Sequence, residues 1–195
     1  VGMALNNLVI GTLSIIIGSI GAINQTSLKR MLAYSGIGHV GFMLLGLATN
    51  TAEGLQSVMI YYVLYVIMTL STFMIIITLG IDKIAELRGL SRRNGALGMT
   101  LGLIMMSLAG VPPLVGFLSK YLIIKSVIEV GAIEWAIVAI VVSVISSFYY
   151  VRLIRFMYFE DKSEVAVELP TPQVGTAKAY ILGWLTYIIV TFMFY

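Results

Sequence analysis

Residues Ser107–Lys120 read Ser-Leu-Ala-Gly-Val-Pro-Pro-Leu-Val-Gly-Phe-Leu-Ser-Lys. An apolar run is interrupted at Gly110-Val111-Pro112-Pro113, and Gly116 follows shortly after. Each proline removes a backbone donor and clashes with the turn before it. Val111 precedes a proline and is pushed away from the α region. The run around this stretch covers about 96–128. As a straight helix at ~1.5 Å per residue it would be about 50 Å long, too long for a hydrocarbon core of ~30 Å. The sequence therefore predicts a discontinuous helix, broken near 110–113.

The rest of the chain explains why a membrane is the right frame. Of 195 residues, 59% are hydrophobic and 11% are charged, against about 45–50% and about 25% for a soluble domain. Twelve basic and nine acidic side chains are too few to cover a soluble surface of this size. This composition excludes a soluble enzyme, a disordered chain and a nucleic-acid module, and leaves a polytopic membrane protein. Charges are costly in hydrocarbon, so charge-free runs mark the spans. They predict six helices, at about 4–24, 31–48, 55–80, 96–128, 131–152 and 178–195. Strand alternation is absent, which argues against an outer-membrane barrel. Val1–Asn24 lacks a basic leading region and does not read as a signal peptide. The predicted fold is an all-α polytopic membrane protein with six transmembrane helices, the fourth broken at Pro112-Pro113.

Loop parity tests the broken helix independently. If 96–128 crosses once, the loops around 25–30, 82–95 and 153–177 share one side. With their flanks these hold Lys29, Arg30, Lys83, Arg88, Arg92, Arg93, Arg152, Arg155, Lys162 and Lys178. The loops around 49–54 and 129–134 hold only Glu53, Glu129 and Glu134. A full turn-round at the prolines would put the last loop on the other side and spoil this bias. The excess of Lys and Arg on one side marks it as the inner side, so both termini are expected on the outer side.

The composition also bounds the chemistry. There is no cysteine and one histidine, so no disulfide, thiolate metal site, iron–sulfur cluster or multi-histidine metal site is expected. A catalytic triad is not available either, because the one histidine lies inside a span. We expect no cofactor bound by this chain. Two basic residues remain inside the fourth helix, Lys120 and Lys125. Lys125 is about one turn from the helix end and can snorkel to the interface. Lys120 is about eight residues, roughly 12 Å, inside. Such lysines usually face a bundle interior and mark ion or proton paths, and a helix break supplies free carbonyls and room for water. The competing reading is a lysine that snorkels or pairs structurally. His39, at the centre of the second helix, has small neighbours in Ser35, Gly36, Gly38 and Gly41. It suits a proton relay and equally suits a hydrogen bond across a helix interface. Lys29 and Arg30 read as interface anchors. Arg152 and Arg155, with Tyr149, Tyr150, Tyr158 and Phe159, read as an aromatic and basic belt. Glu160–Glu164 reads as a solvated charge run, and Gly11, Gly18 and Gly21 as helix-packing residues.

Three stretches together resemble the antiporter-like membrane subunits of respiratory complex I. They are Gln25-Thr26-Ser27-Leu28-Lys29-Arg30-Met31-Leu32-Ala33-Tyr34-Ser35 with Gly38-His39-Val40-Gly41-Phe42, then Ser107–Lys120, then Phe148-Tyr149-Tyr150-Val151-Arg152-Leu153-Ile154. The form Pro-Pro-Leu-x-Gly-Phe-x-x-Lys is similar to the subunit 2 branch of that family, called subunit N in bacteria. Related subunits more often carry a glutamate in this helix.

The resemblance implies a fourteen-helix family fold with two inverted five-helix repeats, each containing a broken helix. This chain would supply the second repeat (1–155), a polar loop (156–177) and the last helix (178–195). Lys120 then falls on the family's proton-loading lysine and His39 on a frequent histidine. Gly110, Pro112, Pro113 and Gly116 form the helix break; Lys29 and Lys125 are secondary candidates. The implied setting is a proton-translocating subunit of NADH:ubiquinone oxidoreductase in the mitochondrial inner membrane, or alternatively a bacterial cytoplasmic membrane. Its implied partners are other membrane-arm subunits, lipids and a separate chain carrying the missing first repeat. Nucleic acid is not among them. A structural half-subunit without transport, and a subunit of a related cation/proton antiporter or membrane-bound hydrogenase, are the alternative readings.

Overall fold

The computed structural model describes residues 2–160 and 176–191, with side chains from 180 onward in the last segment. The helices in chain order are α1 (Gly2–Ile23), α2 (Leu28–Ala48), α3 (Ala52–Leu79), α4 (Leu90–Arg93), α5 (Gly95–Ala109), α6 (Val115–Glu129), α7 (Ile133–Tyr158) and α8 (Thr176–Thr191). Among the described residues there is no strand beyond an isolated bridge between Ser27 and Lys83. By length and composition α1, α2, α3 and α7 are long and apolar enough to cross a membrane, while α5 and residues Tyr180–Thr191 of α8 are shorter apolar helices.

Local sequence sets the helix ends. The Ser27 hydroxyl accepts from the Arg30 N–H and starts α2 three residues earlier than expected. Thr51 caps α3 through the Gly54 N–H, and Asn94 caps α5 through the Leu97 N–H. The run 96–128 forms two helices, α5 and α6, with residues 110–114 outside both. Gly110 ends α5 at φ +88°, a left-handed conformation that glycine adopts without penalty.

Three parts of the chain differ from expectation. α7 continues to Tyr158 rather than stopping near 152. Its last two turns are anchored, because the Arg152 guanidinium donates to the Ile23 carbonyl and lies 5.8 Å from the Phe156 ring centroid. The 82–95 loop is also structured. Ile84–Leu87 forms a 3-10 turn that precedes α4, and Leu87 and Leu90 are fully buried. Glu160, expected in a solvated run, lies 3.0 Å from Arg88 and 3.4 Å from Arg155. The remaining charges of that run (161–164) and the loop up to 175 lie outside the described residues, as do residues 192–195.

The three basic loops meet at one end. The Leu28 N–H donates to the Asp82 carbonyl, and the Gly89 N–H donates to the Phe156 carbonyl. At the opposite end, Lys125, Ser126 and Glu129 of α6 share a cavity of about 190 Å³ with Glu53, Gln56 and Ser57 at the start of α3.

α1 and α2 cross closely at glycines. A Cβ on Gly41 would sit 2.6 Å from the Gly11 carbonyl oxygen, and one on Gly18 would sit 2.6 Å from the Gly38 nitrogen. Gly21 makes room for the Tyr34 ring. Small residues are the usual device for such contact between membrane helices. Gly41→Val is therefore expected to destabilise the α1–α2 pair by about 1–3 kcal/mol, read as faster thermal inactivation of the purified complex. The outward faces of α1 (Ile10, Ile17, Ile20) and α7 (Val141, Val144, Phe148) are exposed and apolar, as a hydrocarbon surrounding requires.

Candidate functional site

The break between α5 and α6 creates the site. The last carbonyls of a helix have no partner within it, and they form the negative end of the helix dipole. The Ala109 carbonyl stands at that end of α5. Lys120, on the second turn of α6, reaches back across the break, and its ammonium donates to the Ala109 carbonyl at 3.0 Å. It also donates to the Ser143 hydroxyl of α7 at 3.3 Å and lies 5.6 Å from the Phe42 ring centroid. Lys120 is 6% exposed. It does not snorkel; it points into the bundle. Its stem passes over Gly110, where a Cβ would meet the lysine Nζ at 3.2 Å.

Gly116 brings α5 and α6 together. A Cβ there would overlap the Ser107 carbonyl, and its N–H donates to the Ser107 hydroxyl at 3.1 Å. Ser107 in turn donates to the Met68 sulfur at 3.1 Å. Pro112 and Pro113 lie in the intervening turn.

His39 is 5% exposed and sits across a small cavity from Lys120. The cavity measures about 10 Å³, and Ser19, Ser35, Ser146 and Tyr149 also line it. That is close to the least space that holds one water. Both ring nitrogens of His39 are engaged: Nδ1 with the Tyr61 hydroxyl at 2.8 Å, and Nε2 with the Tyr150 hydroxyl at 3.0 Å. The ring stacks on Tyr65 at 4.6 Å between centroids. The Tyr150 hydroxyl also bonds to the Ser35 hydroxyl.

The structure thus brings Lys120, His39, Gly110 and Gly116 to one place and leaves the two secondary lysines elsewhere. Lys125 pairs with Glu129 at 3.6 Å on an exposed turn. Lys29 pairs with Asp82 at 3.5 Å, also exposed. One reading is corrected. Tyr149 and Tyr150 are not belt residues; they are 3% and 0% exposed, Tyr149 lining the cavity and Tyr150 bonding to His39 and Ser35 behind it. Phe159 does remain exposed at the helix end, and Tyr158 is partly so. The signal for Tyr150 was the small-residue row Ala136, Ala139, Ser143 and Ser146, which sets the buried face of α7 and reaches Tyr150 one turn later.

Chemically the site offers a primary amine, an imidazole and several hydroxyls around a space for water. It can hold and pass protons. Among the described residues, no cluster of three or more His, Cys, Asp or Glu groups is suited to a metal.

Comparison with known proteins gives consistent results. The family model described as "NADH:quinone oxidoreductase/Mrp antiporter, TM" matches residues 3–146. The NADH-ubiquinone oxidoreductase chain 2 of Metridium senile is 42% identical over 190 residues, covering 94% of this chain and 49% of that protein. The NADH-quinone oxidoreductase subunit N of Sphingopyxis alaskensis is 43% identical over 160 residues, covering 79% of this chain and 34% of its own length. A chain of respiratory complex I from Thermus thermophilus, solved with bound aureothin, superposes with a TM-score of 0.85 at 28% identity, covering 97% of this chain and 43% of that one. The chain therefore spans half or less of the length of these relatives.

Proposed function

This chain belongs to the NADH:quinone oxidoreductase/Mrp antiporter family of membrane proteins, and from that premise we propose that it is a proton-translocating membrane-arm component of NADH:ubiquinone oxidoreductase. It corresponds to the second half of a subunit 2 (subunit N) protein. Lys120 takes up and releases the pumped proton as charge states change in neighbouring subunits. The observation that carries this reading is the buried Lys120 ammonium, held by the free Ala109 carbonyl at a helix interruption and facing His39 across a water-sized cavity.

In this reading α5 and α6 form one broken span, and with α1, α2, α3, α7 and α8 they make six. Support comes from the end of α6 lying beside the start of α3, opposite the basic loops. The six helices are one inverted-repeat half plus a final helix. Both termini lie on the outer side. The membrane is the mitochondrial inner membrane, with a bacterial cytoplasmic membrane as the alternative; the relatives include both a chain 2 from Metridium senile and a subunit N from Sphingopyxis alaskensis. The partners are other membrane-arm subunits, the remaining half of the subunit and lipids. The chain holds no redox cofactor; with no cysteine and a single histidine it has no ligand set for one.

Purification of the tagged chain from detergent-solubilised membranes tests the assignment. NADH:quinone reductase activity is expected to copurify with it, together with further antiporter-like subunits. Recovery with a hydrogenase, or with no redox module, overturns it in favour of a related antiporter or hydrogenase.

A further inference from the structure

Lys120 and His39 share a cavity, and no hydrogen bond joins them among the described contacts. A water in that cavity does not have a free imidazole nitrogen to reach, because both nitrogens are taken by tyrosine hydroxyls on α3 and α7. A proton exchanged between the two groups must therefore cross a tyrosine. Tyr61 belongs to the apolar cluster of Phe42, Leu45 and Val58 and is not part of the cavity wall. Tyr150 bonds to Ser35, and Ser35 lines the cavity. Only one of these two routes ends where Lys120 is.

We propose that Ser35 and Tyr150 form the hydroxyl relay through which Lys120 and His39 exchange a proton. This rests on the transport reading of Lys120 given above. The step balances as a shift of hydrogen bonds. Neutral His39 carries its proton on Nδ1 and donates it to the Tyr61 oxygen, which leaves Nε2 as an acceptor. The Lys120 ammonium gives a proton to the cavity water, and that water gives one to the Ser35 oxygen. The Ser35 proton moves to the Tyr150 oxygen, and the Tyr150 proton moves to Nε2. One Nζ–H bond is broken and one Nε2–H bond is formed. Both hydroxyls and the water end with their original number of protons. The product imidazolium donates from both nitrogens, to Tyr61 and to Tyr150, so every polar group keeps a partner. Reversal restores the ammonium.

Ser35 has a second exposure. It lines a separate cavity of about 160 Å³ towards the basic loops, with Tyr65, Thr69, Thr72 and Leu108. The same hydroxyl is thus the point at which the relay meets the inner half of the bundle.

The test compares the complete membrane complex carrying Tyr150→Phe, Ser35→Ala, Ser35→Thr, or both Tyr150→Phe and Ser35→Ala, with Lys120→Met as the reference. NADH-driven proton release into sealed vesicles is measured across pH in H2O and in D2O. Tyr150→Phe keeps the ring and the His39–Tyr61 bond, and is expected to lower the rate roughly tenfold or more, with a changed solvent isotope effect. Ser35→Ala is expected to match it, Ser35→Thr to restore most of the rate, and the double variant to be no slower than either single one, since both act on one path. If Tyr150→Phe fails to assemble, Ser35→Ala and Ser35→Thr decide alone. Wild-type rates and isotope effects in the relay variants beside an impaired Lys120→Met overturn the relay and leave the transport reading standing. Additive losses in the double variant also overturn it. Wild-type rates in Lys120→Met overturn the transport reading and the relay together.

Discussion

A complex carrying Lys120→Met is expected to assemble normally and to lose at least roughly tenfold of its coupled quinone reduction, since a positioned proton-transfer group contributes about 10²–10⁴-fold. Assembly is expected because two effects oppose. Removing the amine leaves the Ala109 carbonyl and the Ser143 hydroxyl without their donor, a cost of about 1–3 kcal/mol for a buried acceptor. It also removes a cation whose transfer to this depth itself costs about 2.5–3.5 kcal/mol. The net change in stability is small, and thermal inactivation of the purified complex should show this. Lys120→Arg provides the contrast. A guanidinium keeps the charge but does not give up its proton in a protein, so the rate is expected to fall as it does for methionine. A normal rate in Lys120→Arg would mean that charge alone, not proton exchange, is what the site supplies.

Gly116→Val is expected to act through the fold instead. A Cβ at 116 runs into the Ser107 carbonyl, which is helix backbone and has little freedom to move. The two helices α5 and α6 must separate, and Lys120, one turn further along α6, moves away from the Ala109 carbonyl it binds. Overpacking costs about 1–3 kcal/mol, occasionally more, and a clash with backbone belongs at the top of that range. Native gels should show little assembled complex and a depleted subunit. Gly116→Ala should act in the same direction and more weakly. Full assembly of the valine variant would show that α5 and α6 do not need this contact.

The helices could be read from the sequence because their signals are local. Charge-free runs lie within α1, α2, α3 and α7, and Ser27, Thr51 and Asn94 mark starts by capping them. The interruption between α5 and α6 falls on Gly110–Leu114, where the prolines stand. The depth of Lys120 follows from counting residues to the helix end. What was missed depends on which way a helix face turns. Tyr149 and Tyr150 stand three and two residues before Arg152, and adjacency made them look like part of the same belt. On a helix, residues two apart point in different directions, so Arg152 reaches the Ile23 carbonyl while Tyr150 reaches His39. The hydroxyl partners of His39 come from residues 22 and 111 positions away, a relation no local spacing contains. The internal structure of the 82–95 segment was not legible for a similar reason. Its charges marked it only as a loop on the basic side, while the burial of Leu87 and Leu90 depends on the end of α7 packing against them.

The most direct test of a proton-loading Lys120 is the initial rate of proton release into sealed vesicles during NADH oxidation, measured for fully assembled wild-type and Lys120→Met complexes at equal protein. The predicted result is a Lys120→Met rate roughly tenfold or more below wild type, with the peripheral NADH-oxidising activity unchanged. A Lys120→Met complex that releases protons at the wild-type rate would contradict it.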